Sequence, residues 1–109
     1  MKTVTWLGES GKSYVMAIRQ FGESFHGVPG VYLFCKAKAQ NDWAPIYIGE
    51  SKDLSECLNA SLTNHPKFEE IKRNGASHVC AIRVDGSTGQ RRSMVSDLLR
   101  VLNPVCNRH

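Results

Sequence analysis

The sequence predicts an α+β domain with a small central three-stranded antiparallel sheet flanked by helices and an extra β-hairpin at the N-terminus. Three observations predict it. Val31-Tyr32-Leu33-Phe34 and Ile46-Tyr47-Ile48 are apolar at every position, as central strands covered on both faces are. Leu54, Leu58 and Leu62 recur every fourth residue, and Met94, Val95, Leu98, Leu99, Val101 and Leu102 form one broad apolar helical stripe. Strands and helices occur in the order β-β-β-β-α-α-β-α, which suits one sheet with helices packed on it.

Each element has its own signal. Thr3 to Leu7 alternates, Gly8-Glu9-Ser10-Gly11-Lys12 reads as a turn, and Tyr14 to Phe21 is β-prone, so residues 3 to 21 read as a hairpin. Residues 22–30 form a loop. Strands follow at 31–36 and 45–49, joined by a polar connector. Ser51 or Asp53 can cap the first helix. Asn64-His65-Pro66 ends it, because proline disfavours helix in the residue before it. Pro66 suits the first turn of a second helix to about Asn74, and Gly75 suits its stop. Residues 78–84 read as the third central strand, 85–89 as a turn, and Gln90 to Leu102 as the last helix, ended by Asn103-Pro104. That helix is expected to bury Met94, Val95, Leu98 and Leu102.

The 109 residues suit one domain, and 41% hydrophobic with 22% charged residues excludes a disordered chain. No apolar run is long enough for a bilayer, so no membrane partner is expected. The first twenty residues carry Glu9, Lys12 and Arg19 without an apolar stretch, so no signal peptide is expected. Cys35, Cys57, Cys80 and Cys106 show no CxxC spacing and read as free thiols in a cytoplasmic protein. There, the Asn59-Ala60-Ser61 sequon goes unused.

The net charge is +4. Residues 1–66 sum to zero, so Lys67, Lys72, Arg73, Arg83, Arg91, Arg92, Arg100 and Arg108 put all of it in the second part. A one-sided basic surface points to a polyanion partner; a merely solvated face is the plainer reading.

Gly8-Glu9-Ser10-Gly11-Lys12-Ser13 imitates a phosphate-binding loop. However, the required first glycine is Trp6, and a strand-like run follows where a helix must. His65, His78, His109, Cys80 and Cys106 lack ligand spacing, so no metal site is expected.

The informative residues are two tyrosines on adjacent strands, each beside a glycine: Gly30-Val31-Tyr32 and Tyr47-Ile48-Gly49. Alone they read as aromatic strand packing. Their surroundings, Val28-Pro29-Gly30-Val31-Tyr32-Leu33-Phe34 and then Pro45-Ile46-Tyr47-Ile48-Gly49-Glu50-Ser51-Lys52-Asp53-Leu54, closely resemble the GIY-YIG nuclease domain. Lys72 to Val79, and Arg91 to Asn107 with Asp97-Leu98-Leu99 and Asn103-Pro104-Val105-Cys106-Asn107, resemble the later segments of small bacterial members. The resemblance covers residues 28–107, leaving residues 1–27 as an N-terminal hairpin and loop extension.

The resemblance implies a one-metal endonuclease. A glutamate of the last helix holds the metal, two tyrosines activate water and position the phosphate, and a helix arginine neutralises charge. Tyr32 and Tyr47 match the tyrosines, and Gly30 and Gly49 the motif glycines. Cys57 stands at the arginine position and Val95 at the glutamate position, while His65 matches a family histidine only with extra residues after Cys57. A valine cannot bind a hard cation, and a cysteine is no permanent cation.

The expectation is a degenerate GIY-YIG-like module. It holds no catalytic metal and binds nucleic acid, DNA in the first place, weakly and salt-sensitively through Lys67, Lys72, Arg73, Arg91, Arg92 and Arg100. The first alternative is an active endonuclease using Mg2+ or Mn2+ and a site rebuilt from Glu50, Tyr32, Tyr47 and Arg91. The second is a protein-binding adaptor or inhibitor derived from a nuclease.

Overall fold

Five strands form one antiparallel sheet in the order β1-β2-β5-β3-β4. They are β1 (Thr3–Leu7), β2 (Ser13–Gln20), β3 (Gly30–Ala37), β4 (Trp43–Ser51) and β5 (His78–Arg83). The helices are α1 (Leu54–Leu58), α2 (Phe68–Arg73) and α3 (Thr88–Leu102), followed by a 3-10 turn, Val105–Asn107. The computed structural model describes residues 2–39, 42–58 and 65–107. Leu62, His109, Arg108 and the Asn59-Ala60-Ser61 sequon lie outside the described residues.

The three expected central strands share one sheet, but the sheet has five strands. The N-terminal hairpin is part of it, because β2 pairs with β5 from Ala17↔Ala81 to Gln20↔His78. β3 is central and buried from Gly30 to Cys35. β4 is an edge strand, contrary to the central position its apolar run suggested. Its cover comes instead from α3 and the 3-10 turn.

Strand alternation sorts the core into two layers. Tyr32 and Phe34 of β3 pack with Leu54, Leu58, Phe68, Ile71 and Cys106 on one face. Val31, Leu33 and Cys35 pack with Trp6, Met16, Ile18 and Leu98 on the other. α1 and α2 therefore cover one face, and α3 covers the other, to which the hairpin strands contribute Trp6, Met16 and Ile18.

Local chemistry sets the helix ends. α2 stops in a Schellman arrangement: Gly75 N–H reaches Lys72 O at 3.0 Å and Ala76 N–H reaches Ile71 O at 3.3 Å. Gly75 has φ +90°, a conformation that side chains resist. α3 begins at Thr88, two residues before the expected Gln90. Ser87 accepts from Gln90 N–H, and the Gln90 side chain accepts from Ser87 N–H, which makes a capping box. Its buried residues are Arg91 and Leu98; Met94, Val95 and Leu102 are only half-buried. Asp97 faces the hairpin turn, where its carboxylate accepts from Ser10 N–H, Ser10 Oγ–H and Tyr14 Oη–H. The Gly-rich turn that imitates a phosphate loop is thus a clasp on α3.

Candidate functional site

The motif glycines are set by close approach. A Cβ on Gly30 would stand 2.3 Å from the Ile82 carbonyl oxygen of β5. A Cβ on Gly49 would stand 2.5 Å from Tyr32 Oη. Tyr32 pairs directly with Gly49, and Phe34 with Tyr47, so both tyrosines leave the same face of the sheet. Their ring centroids are 6.3 Å apart. His65 joins them, 5.8 Å from the Tyr32 ring and 5.3 Å from the Tyr47 ring, both edge-on.

Two hydrogen bonds tie His65 into this cluster. His65 Nδ1 accepts from Lys67 N–H at 3.1 Å. Burial lowers the His65 pKa, so the ring is neutral and its proton sits on Nε2. Nε2 is 2.8 Å from Tyr32 Oη and donates to it. The Cys57 thiol of α1 neighbours Tyr32. Burial, then the neighbouring Cys57, raise the Tyr32 pKa far above the ordinary tyrosine value. Burial also raises Tyr47 and Cys57. All four groups are therefore uncharged at neutral pH.

A cleft of about 370 Å³ opens beside the tyrosines, lined by Tyr32, Tyr47, Gly49, Glu50, Arg92, Val95, Ser96, Leu99 and Asn107 among others. Val95 faces it from α3, which is why it is half-buried rather than core. Asn107 closes one end. Its side-chain Oδ1 accepts from Ile48 N–H at 2.8 Å and its Nδ2–H donates to Ile48 O at 3.0 Å, so the amide pairs with β4 as a strand would. Sequence reasoning noted Asn107 only as part of a tail; nothing local signals a bond to Ile48.

Glu50 is the only carboxylate lining this cleft among the described residues. Its Oε1 accepts from Arg91 Nε–H at 2.8 Å. Arg91 also donates to Gly86 O and Thr88 Oγ1, and is only 3% exposed. Arg91 is therefore not an open phosphate contact, contrary to the sequence expectation, because its charge is spent inside the fold. The other expected contacts are dispersed. Arg92 is exposed at the cleft, and Lys72 and Arg73 are exposed on α2. Lys67 donates to Cys106 O and pairs with Glu70. Arg100 pairs with Glu9 and lines a separate groove beside the hairpin clasp.

No family model and no curated protein matches the chain. Two solved structures do match. Both are of the GIY-YIG N-terminal endonuclease domain of UvrC from Thermotoga maritima, each a tyrosine-to-phenylalanine variant bound to its catalytic divalent cation. They are 31% and 30% identical to this chain, cover 77% of it and 87% of their own length, and superpose with a TM-score of 0.59.

A divalent cation does not fit the residues present here. Among the described residues no three His, Cys, Asp or Glu side chains converge as ligands. The helix wall offers Val95 and Leu99, and Glu50 is already neutralised by Arg91. A hard cation keeps most of its waters but still needs at least one uncompensated carboxylate from the protein. Sheet order, paired tyrosine strands, motif glycines and sequence identity nonetheless agree, and the chain belongs to the GIY-YIG endonuclease domain family.

Proposed function

We propose that this domain is a nucleic-acid-binding module that has lost metal-dependent cleavage. One observation carries the reading: the helix wall of the tyrosine cleft presents Val95, and the one carboxylate in the cleft is ion-paired with Arg91. Hydrolysis of a phosphodiester needs charge stabilisation at the phosphate and an activated water. Val95 supplies neither, Cys57 supplies no fixed cation, and Tyr32 stays protonated at neutral pH. The same pairing weighs against a rebuilt endonuclease centred on Glu50 and Arg91, because each partner consumes the other's charge.

Binding rests on the cations that face solvent: Arg92 at the cleft, Lys72 and Arg73 on α2, and, with weaker reach, Lys67 and Arg100. Arg91 leaves that set. Tyr47, half-buried, adds aromatic surface to the cleft beside Arg92, while Tyr32 is buried. Duplex DNA binding should weaken with salt along a log–log slope of about −0.9 per phosphate contacted. Fluorescence anisotropy with a labelled duplex over a salt series tests this. Binding that is absent at low salt, or indifferent to salt, would favour a protein-binding adaptor instead.

A further inference from the structure

The polarity of the tyrosine cleft is unlike that of a phosphate site. α3 lines it with two rows, each made of residues four apart on the helix surface. Arg92 and Ser96 form a polar row, and Val95 and Leu99 an apolar one. The sheet lines it with the half-buried Tyr47 and with Gly49, which puts no side chain into it. Arg92 is exposed, while Val95 and Leu99 are half-buried.

These linings favour one kind of occupant. Among the described residues Arg92 is the one cation lining the cleft. A phosphate seated against Val95 and Leu99 would give up its hydration for that single charge, which is costly. A flat ring with apolar faces and polar edges loses little there. Glu50 suits such an edge: Arg91 Nε–H holds its Oε1 and neutralises its charge. A carboxylate has about four acceptor sites, so Glu50 still accepts from a ring N–H or amino group. The volume of about 370 Å³ is near the lower end for ligand pockets, the scale of one nucleoside and far below that of a duplex.

We infer that this cleft is a pocket for one unpaired nucleobase, with Tyr47 as its stacking surface, Val95 and Leu99 as its apolar side and Arg92 on an adjoining phosphate. The pocket rests on the nucleic-acid-binding reading above and specifies its substrate class, which is single strands. In a duplex the faces of each base are stacked and its pairing edge is occupied, so only an unpaired base can enter. Stacking on an aromatic side chain tolerates any base, and the polar row of Arg92 and Ser96 follows the sugar and phosphate. The valine at position 95 thereby has a role in the cleft: it supplies apolar surface to the base.

Fluorescence anisotropy at low salt compares three labelled probes of equal length: a DNA single strand, its duplex, and a strand of abasic nucleotides that keeps the phosphates and lacks the bases. The single strand should bind at least about tenfold tighter than the abasic strand, and tighter than the duplex. Tyr47→Ala should weaken single-strand binding about tenfold, and duplex binding less. Val95→Asn makes the apolar row polar and should weaken single-strand binding about threefold. It also covers the case in which Tyr47→Ala fails to fold. Equal, salt-sensitive binding of all three probes overturns the pocket and leaves the nucleic-acid-binding reading standing. So does single-strand binding that is unchanged in a folded variant of either kind. Absence of binding to every probe at low salt overturns that reading and the pocket with it.

Discussion

The sheet wall and the helix wall of the tyrosine cleft have fared differently. The sheet wall keeps the motif residues of its family, Gly30, Tyr32, Tyr47 and Gly49, in direct register. The helix side does not: α3 presents Val95 and Leu99 to the cleft, and α1 places Cys57 beside Tyr32, in an adjoining pocket shared with His65. The difference follows from what each residue does in the fold. The glycines admit the Ile82 carbonyl and the Tyr32 ring, and the tyrosines pack with Phe34 and His65. Losing them would cost stability. A metal-binding carboxylate or a phosphate-binding arginine contributes to chemistry and little to packing, so on the proposed reading Val95 and Cys57 can stand at those positions with the core intact. Preserved motifs therefore report a preserved fold, and the chemistry has to be read from the other wall.

The largest expected effect breaks the link between the walls. Arg91→Ala leaves the half-buried Glu50 carboxylate without its partner and three hydrogen bonds unmade. It should cost about 3–5 kcal/mol, the range for breaking a buried pair. Replacing both residues by apolar ones of similar size should recover most of that loss in urea unfolding. A single-mutant cost within error of zero would mean that the pair does not hold α3 to β4.

Gly30→Ala comes next. The added methyl meets the backbone of β5, which cannot rotate away, and should cost about 1–3 kcal/mol as overpacking. Gly49→Ala meets the Tyr32 ring instead and should also displace the Tyr32–His65 bond, visible as a shifted His65 resonance. If both substitutions are neutral, the sheet wall is not under packing constraint and the comparison fails.

Val95→Ala is smaller. A fully buried valine would lose more, but Val95 faces the cleft, so truncation should cost about 1 kcal/mol or less by thermal melting. Arg92→Ala should leave stability unchanged and flatten the salt dependence of DNA binding by about one unit. A loss of stability there would mean that Arg92 has a structural partner.

Much of this architecture was legible in the sequence, for physical reasons that differ by element. The apolar runs of β3 and β4 and the turn of the β1–β2 hairpin depend on local pattern, so their positions follow directly. The start of α3 lies two residues early because the Ser87–Gln90 capping box overrides the weaker helix-forming tendency of Gly89. The edge position of β4 was not legible, since an apolar strand covered by a helix and an asparagine reads like one flanked by strands. Nor was the burial of Arg91. Its partner Glu50 lies 41 residues away, and only the fold brings the two together. The structure places His65 edge-on to both tyrosine rings, Cys57 beside Tyr32 and Val95 on the wall of the cleft.

The central claim is that the helix wall has lost the chemistry while the sheet wall keeps the fold. Incubating supercoiled plasmid with the pure protein and Mg2+ or Mn2+, beside the Cys57→Arg, Val95→Glu double variant, tests it most directly. The wild type is predicted to produce no nicked or linear DNA above the buffer control. The double variant, with a carboxylate and a fixed cation restored to the cleft, is predicted to produce metal-dependent nicking. Wild-type nicking that EDTA abolishes would contradict the account.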